Sequence, residues 1–159
     1  MKNNLIYRMD SELWRESLAD VCRFCPDADD AEQGDALRET YALMSIAPRG
    51  QLAGMGHLPD RMIFENMLMA GAYESAALAL VPPSAGFLLS RGSNGVHLAS
   101  VILAGSHDEV AAEANSPAMA LVAALAGGLR FVGDDNTTHG SLAANEMDAL
   151  AMRPATWLN

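Results

Sequence analysis

Lysine is almost absent from this chain: Lys2 is the only one in 159 residues. Ten basic side chains stand against twenty acidic ones, for a formal net charge of −10. Direct binding of DNA or RNA needs clustered Lys and Arg to neutralise phosphates, so that function is not expected. Cysteine is equally scarce. Two thiols, Cys22 and Cys25, cannot form a disulfide framework, which fits a reducing compartment. Every apolar run is broken by Gly, Pro, Ser or charge well before about 18 residues, so no membrane span is expected. The opening "MKNNLIYRMDSELW" lacks the long apolar stretch of a secretory signal. The expected location is the cytoplasm.

Hydrophobic residues make up 50% of the chain, enough for one domain with a real core. The charge is uneven. Residues 1–75 hold 13 acids and 7 bases, residues 76–133 hold 3 and 2, and the remainder holds 4 and 1. The densest stretch is "PDADDAEQGDALRE". Within 13 residues it places Asp27, Asp29, Asp30, Glu32, Asp35 and Glu39, opposed only by Arg38. Exposed like charges repel slightly, so the patch is expected to add nothing to fold stability. Its plain reading is a solvated, solubilising face. Its functional reading is a surface that steers a basic partner, one that itself binds nucleic acid, over a screening length of about 8–10 Å. These six residues are the candidate partner-binding set.

Hydrophobic spacing predicts the elements. Trp14, Leu18, Val21 and Cys25 fall at i, i+4, i+7 and i+11, one stripe of a helix that starts at Asp10 or Ser11 and stops at Pro26. A second helix is predicted over 30–47, with Gln33, Leu37, Tyr41 and Met44 inward. A third is predicted from Pro59 to about 81, with Gly71 as a point of division. Its lined side is Met62, Met69, Tyr73, Ala76 and Leu80. "FLLSR" and "VHLASVILA" flank Gly92-Ser93-Asn94-Gly95, a hairpin. A third strand is expected at 109–114. Ser116-Pro117 starts the last helix, which Gly127-Gly128 should weaken at its end. "LAANEMDALAM" is read as a short helix in a polar tail. The fold class is therefore α+β: an N-terminal helical extension (1–57), an α-β-β-β-α unit with a three-stranded antiparallel sheet (58–132), and a C-terminal tail (133–159).

This order of elements resembles the double-stranded-RNA-binding domain. That family opens its second helix with a lysine-rich motif. The matching place here reads "SPAMALVAAL", with no Lys or Arg before Arg130, so the likeness is one of topology. "ESAALAL" before the hairpin, "LASV" in the second strand and the Ser-Pro-Ala cap of an alanine-rich helix carry a second likeness. Residues 70–130 resemble small phage and prophage proteins of alphaproteobacteria, described as a phage alpha-beta-alpha sandwich domain. That resemblance implies no catalytic residues. It implies a small phage protein acting on a host machine, including host-defence complexes.

Other candidates for chemistry have ordinary readings. Cys22-x-x-Cys25 lies at the C-terminal end of a helix, whereas redox pairs open one, where the dipole lowers the thiol pKa. Buried structural thiols are expected. A zinc site would need two further ligands, and His57, His97, His107 and His139 are scattered. Ser106, His107 and Asp108 are sequence neighbours, which generally point apart, so a polar turn is expected and not a triad. "GQLAGMG" has no P-loop lysine and no dinucleotide spacing. "MIFENMLM" is read as helix core, with an adaptable partner groove around Met62, Met67 and Met69 as the alternative. The hairpin, lacking basic, stacking and convergent polar side chains, is read as scaffold.

The expected function is therefore a non-enzymatic, cofactor-free, acidic phage-derived protein that binds and modulates a host protein. Two other classes stand beside it: a metal-stabilised or thiol-redox protein using Cys22 and Cys25, and a self-assembling structural phage protein. The sequence leaves the oligomeric state open, with a homodimer as one candidate.

Overall fold

Residues 10–48 and 50–132 are described in the computed structural model. The apolar stripe of the first helix is buried throughout. Helix α1 runs Ser11–Phe24, and Trp14, Leu18, Val21 and then Cys25 face inward. Its ring nitrogen makes Trp14 more than a filler: Nε1 donates to the Leu43 carbonyl at 2.8 Å. That bond ties α1 to α2, Gln33–Ser45, and satisfies a polar atom that burial would otherwise leave unpaired. Pro26 does stop α1, with a short 3₁₀ turn at Cys25–Asp27.

The third predicted helix is two. Helix α3 spans Arg61–Met69 and α4 spans Tyr73–Leu80. Gly71, at φ 69°, separates them in a conformation that disfavours a side chain. The start of α3 is set by Asp60, whose side chain accepts from the Met62 and Ile63 amides; Pro59 precedes it. The expected inward line is corrected at two positions. Met62 is 74% exposed and Met69 81%, while Phe64 and Leu68 are buried in their place. The break at Gly71 is the reason: it ends the single continuous stripe that joined Met62 and Met69 to Tyr73.

The sheet has order β1-β2-β3, antiparallel, with β1 Gly86–Arg91, β2 His97–Ile102 and β3 Val110–Ala114. The β1–β2 turn closes with a 2.8 Å bond from the Gly92 amide to the Val96 carbonyl and with Gly95 at φ 84°. That is a three-residue loop with a bulge. Helix α5, Pro117–Phe131, is capped by Ser116, whose hydroxyl accepts from the Met119 amide. Every residue from Ala118 to Leu129 is buried. A helix apolar on all sides needs neighbours on all sides. α5 meets α1, α2, α4 and the sheet, chiefly β2 and β3. Residues of the N-terminal extension and of the α-β-β-β-α unit contribute to one continuous core around it. No described helix is long and apolar enough to cross a membrane. The predicted helix at "LAANEMDALAM" and the rest of the tail lie outside the described residues.

Gly127 and Gly128, expected to weaken the end of α5, lie within it, and the helix runs on to Phe131. They let the sheet approach it. A Cβ on Gly127 would lie 2.8 Å from Val110 Cγ1, and one on Gly128 3.2 Å from Leu103 Cδ1. Val110 is β-branched and stiff, so it has little room to yield. Ala at 127 would gain about 1 kcal/mol of helix propensity and lose about 1–3 kcal/mol to overpacking. Gly127→Ala should therefore destabilise the protein in a denaturant titration, and Val110→Ala in the same chain should restore part of the loss. A stabilised Gly127→Ala variant would mean that the close approach carries no cost.

Candidate partner-binding groove

The six acids of the candidate set are exposed, but they are not equivalent. Asp29 and Glu32 cap each other's backbone. Asp29 Oδ1 accepts from the Glu32 amide at 3.0 Å and from the Ala31 amide at 2.9 Å. Glu32 Oε2 accepts in return from the Asp29 amide at 2.9 Å. This is a capping box in form, and it sets the turn that leads into α2. Asp30 begins a relay into the core. Its carboxylate accepts from Gln33 Nε2, and Gln33 Oε1 accepts from the Ser116 hydroxyl, both at 2.9 Å. Ser116 is the cap of α5, so the acidic loop is tied to the start of the central helix. Asp35 pairs with Arg38 at 3.3 Å, and Arg38 reaches Glu65 on α3 at 3.0 Å. The Arg38 pKa is raised, first by its hydrogen bond to Glu65.

The expectation that this patch adds nothing to stability is thus corrected. Asp29, Asp30 and Glu32 spend their oxygens on the fold: Asp29 accepts from amides two and three residues on, Glu32 from the amide three residues back, and Asp30 from the Gln33 side chain. Asp27 and Glu39 make no hydrogen bond or ion pair among the described residues.

Glu39 and Asp35 stand on an exposed ridge of α2 with a groove on either side. Between α1 and α2 the groove is about 360 Å³. Val21, Phe24 and Ala36 give it apolar walls, and Asp20, Asp35 and Glu39 stand at its edges with Ser17. Asp20 is paired with Arg23 one turn on. Between α2 and α3 lies a groove of about 430 Å³ with mixed charge, including Arg38, Arg61 and Glu65. Asp27, Asp29, Asp30 and Glu32 line neither of these two grooves. Sequence reasoning missed Asp20 and Phe24. A signal was present, since Phe24 is an aromatic off the Trp14–Cys25 stripe and so had to face elsewhere.

The two thiols are placed where ionisation is costly. Cys25 is fully buried and Cys22 half-buried, its Sγ 3.5 Å from the Ala123 carbonyl of α5. Burial pushes the Cys25 thiol up to about 12, and raises that of Cys22 against the opposing charge of Arg130. Ser106 and Asp108 share a turn in which the Ser106 hydroxyl accepts from the Asp108 amide at 3.1 Å. Among the described residues no three His, Cys, Asp or Glu side chains gather in a metal-binding arrangement. Comparison with protein-family models, with curated proteins and with solved structures returns no match.

Two outcomes follow from these contacts. Asp29→Ala removes the two bonds that its carboxylate accepts from the Ala31 and Glu32 amides, leaving the backbone bond to Glu32 in place, and should cost about 0.5–2 kcal/mol in denaturant unfolding. Asp27→Ala should stay within about 0.5 kcal/mol of the parent; equal losses would mean that the turn is not held by its cap. The thiol gives a pH dependence. Unfolded Cys25 loses its proton near 9.0, whereas the folded thiol keeps it to about 12. Its contribution is therefore full below pH 9 and is lost as the pH rises towards 12. Stability measured across that window should fall more steeply in the parent than in Cys25→Ala, and matching slopes would contradict it.

Proposed function

We propose that this chain acts as a non-enzymatic protein ligand, binding a basic protein partner through the groove between α1 and α2. The observation that carries the reading is the pairing of apolar walls with an acidic edge. Val21, Phe24 and Ala36 offer a dry contact, and Asp20, Asp35 and Glu39 offer acceptors around it. A helix or loop presenting an apolar side chain beside Arg or Lys fits both. Phe24 is an exposed aromatic, the residue class enriched at the centre of interfaces. The net charge of −10 would speed the encounter with a basic surface and slow it as salt rises. The partner is taken as a host protein on the resemblance to small phage proteins, and as one whose own ligand is nucleic acid on the acidity of the chain. The acids beyond the groove, Asp27, Asp29, Asp30 and Glu32, then extend the attracting field while three of them hold the fold.

Affinity capture from host lysate, with cross-linking to locate the contact, tests this. Phe24→Ser with Glu39→Lys should weaken capture of the basic partner about tenfold or more and leave thermal unfolding unchanged. Equal capture by the double variant would sink the reading. Loss of capture only on changing the exposed Met62 and Met69 would move the contact to α3.

A further inference from the structure

The edge of β1 is open among the described residues. All six of its residues are exposed, with Phe87 at 49%, Leu88 at 58% and Leu89 at 39%. α5 packs chiefly over β2 and β3 and scarcely reaches β1. The register with β2 runs unbroken from Gly86↔Ile102 to Arg91↔His97. The Gly92–Val96 bond fixes the alternation. Phe87, Leu89 and Arg91 therefore turn their N–H and C=O groups to the open edge. Exposed edges are normally blunted by charge, proline, a bulge or a cover. β3, the other edge, has such protection: Glu109 and Glu113 flank and occupy it, and the 3₁₀ turn packs against it. β1 has one charge, Arg91, at its end.

Charge decides what can cover that edge. The chain is strongly acidic, yet residues 75–107 contain no Asp or Glu. Two copies repel each other over most of their surface. They can approach without placing carboxylates face to face along this acid-free hairpin.

We propose that β1 pairs with β1 of a second copy across a two-fold axis, joining two three-stranded sheets into one. A two-fold axis normal to the sheet gives antiparallel pairing and keeps both α5 helices on one face. The register sets Phe87 opposite Leu89 of the second copy, twice over, with Leu88 opposite Leu88. The outward N–H and C=O groups of Phe87 and Leu89 then bond directly between the copies. Their side chains fill the strip of sheet that α5 leaves open. Arg91 falls outside this central set, where its charge stays in water.

The test is the mass of the whole chain in solution, by light scattering at high micromolar concentration, with two variants. The parent should run at twice its 16.8 kDa. Leu89→Lys should run as a monomer with unchanged circular dichroism, and should melt as the parent does when diluted far enough to dissociate. Leu88→Cys should form a disulfide-linked dimer on mild oxidation, while the parent, with Cys22 and Cys25 in place, should not. If Leu89→Lys fails to fold, the cross-link decides. A monomeric parent overturns the proposal, since the edge is then left to another protein or to residues 133–159. So does a dimer that survives Leu89→Lys, or one in which Leu88→Cys does not cross-link.

Discussion

Helix α5 has no face to give to water. From Pro117 to Leu129 it carries no charge, and Leu121, Leu125 and Leu129 are fully buried. Each such leucine contributes about 1.5–3 kcal/mol relative to exposure, but only where neighbours enclose it. This one requirement organises the rest. The sheet covers α5 on one side, with Gly127 and Gly128 allowing close contact. The helices α1, α2 and α4 cover what remains. The N-terminal helices are thus part of the enclosure, and Trp14, Leu18 and Leu37 belong to the same core as Val101 and Leu125.

Enclosing one helix has consequences at the surface. The elements that wrap α5 turn their other sides outward, and those sides differ. α1 and α2 meet water with acids and with Phe24, forming the groove. α5 covers β1 far less than β2 and β3, so the apolar side chains of β1 stay largely exposed. α3 touches chiefly α4 and leaves Met62 and Met69 bare. The acidic field and the acid-free edge occupy different parts of the chain, so a heteromeric contact and a self-contact need not compete for residues.

The acidic loop joins stability to charge. Asp29 and Glu32 hold their own turn, and Asp30 reaches the cap of α5 through Gln33. An exposed carboxylate can accept an amide hydrogen bond and still present charge to solvent. The same residues therefore stabilise the start of α2 and contribute to the field around it. Asp27 and Glu39, with no such bonds, contribute charge alone.

Much of the fold was legible because it rests on local rules. Period 3.6 placed α1 and its stripe, Gly92–Gly95 placed the hairpin, and Ser116-Pro117 placed the start of α5. The capping box was legible too, as Asp-x-x-Glu, although charge repulsion was the feature first read from it. Met62 and Met69 were misplaced because periodicity carries through a helix only while the helix is continuous, and Gly71 breaks it. The sequence alone determined the elements, their order, the acidic balance and the residues available to the core. Only the tertiary structure decided which apolar residues stay outside, which acids stand at a groove, and which strand edge is left open. Those depend on how far α5 reaches across the sheet and how α1 and α2 lie beside each other. Such distances are set between segments far apart in the chain, where no local spacing records them.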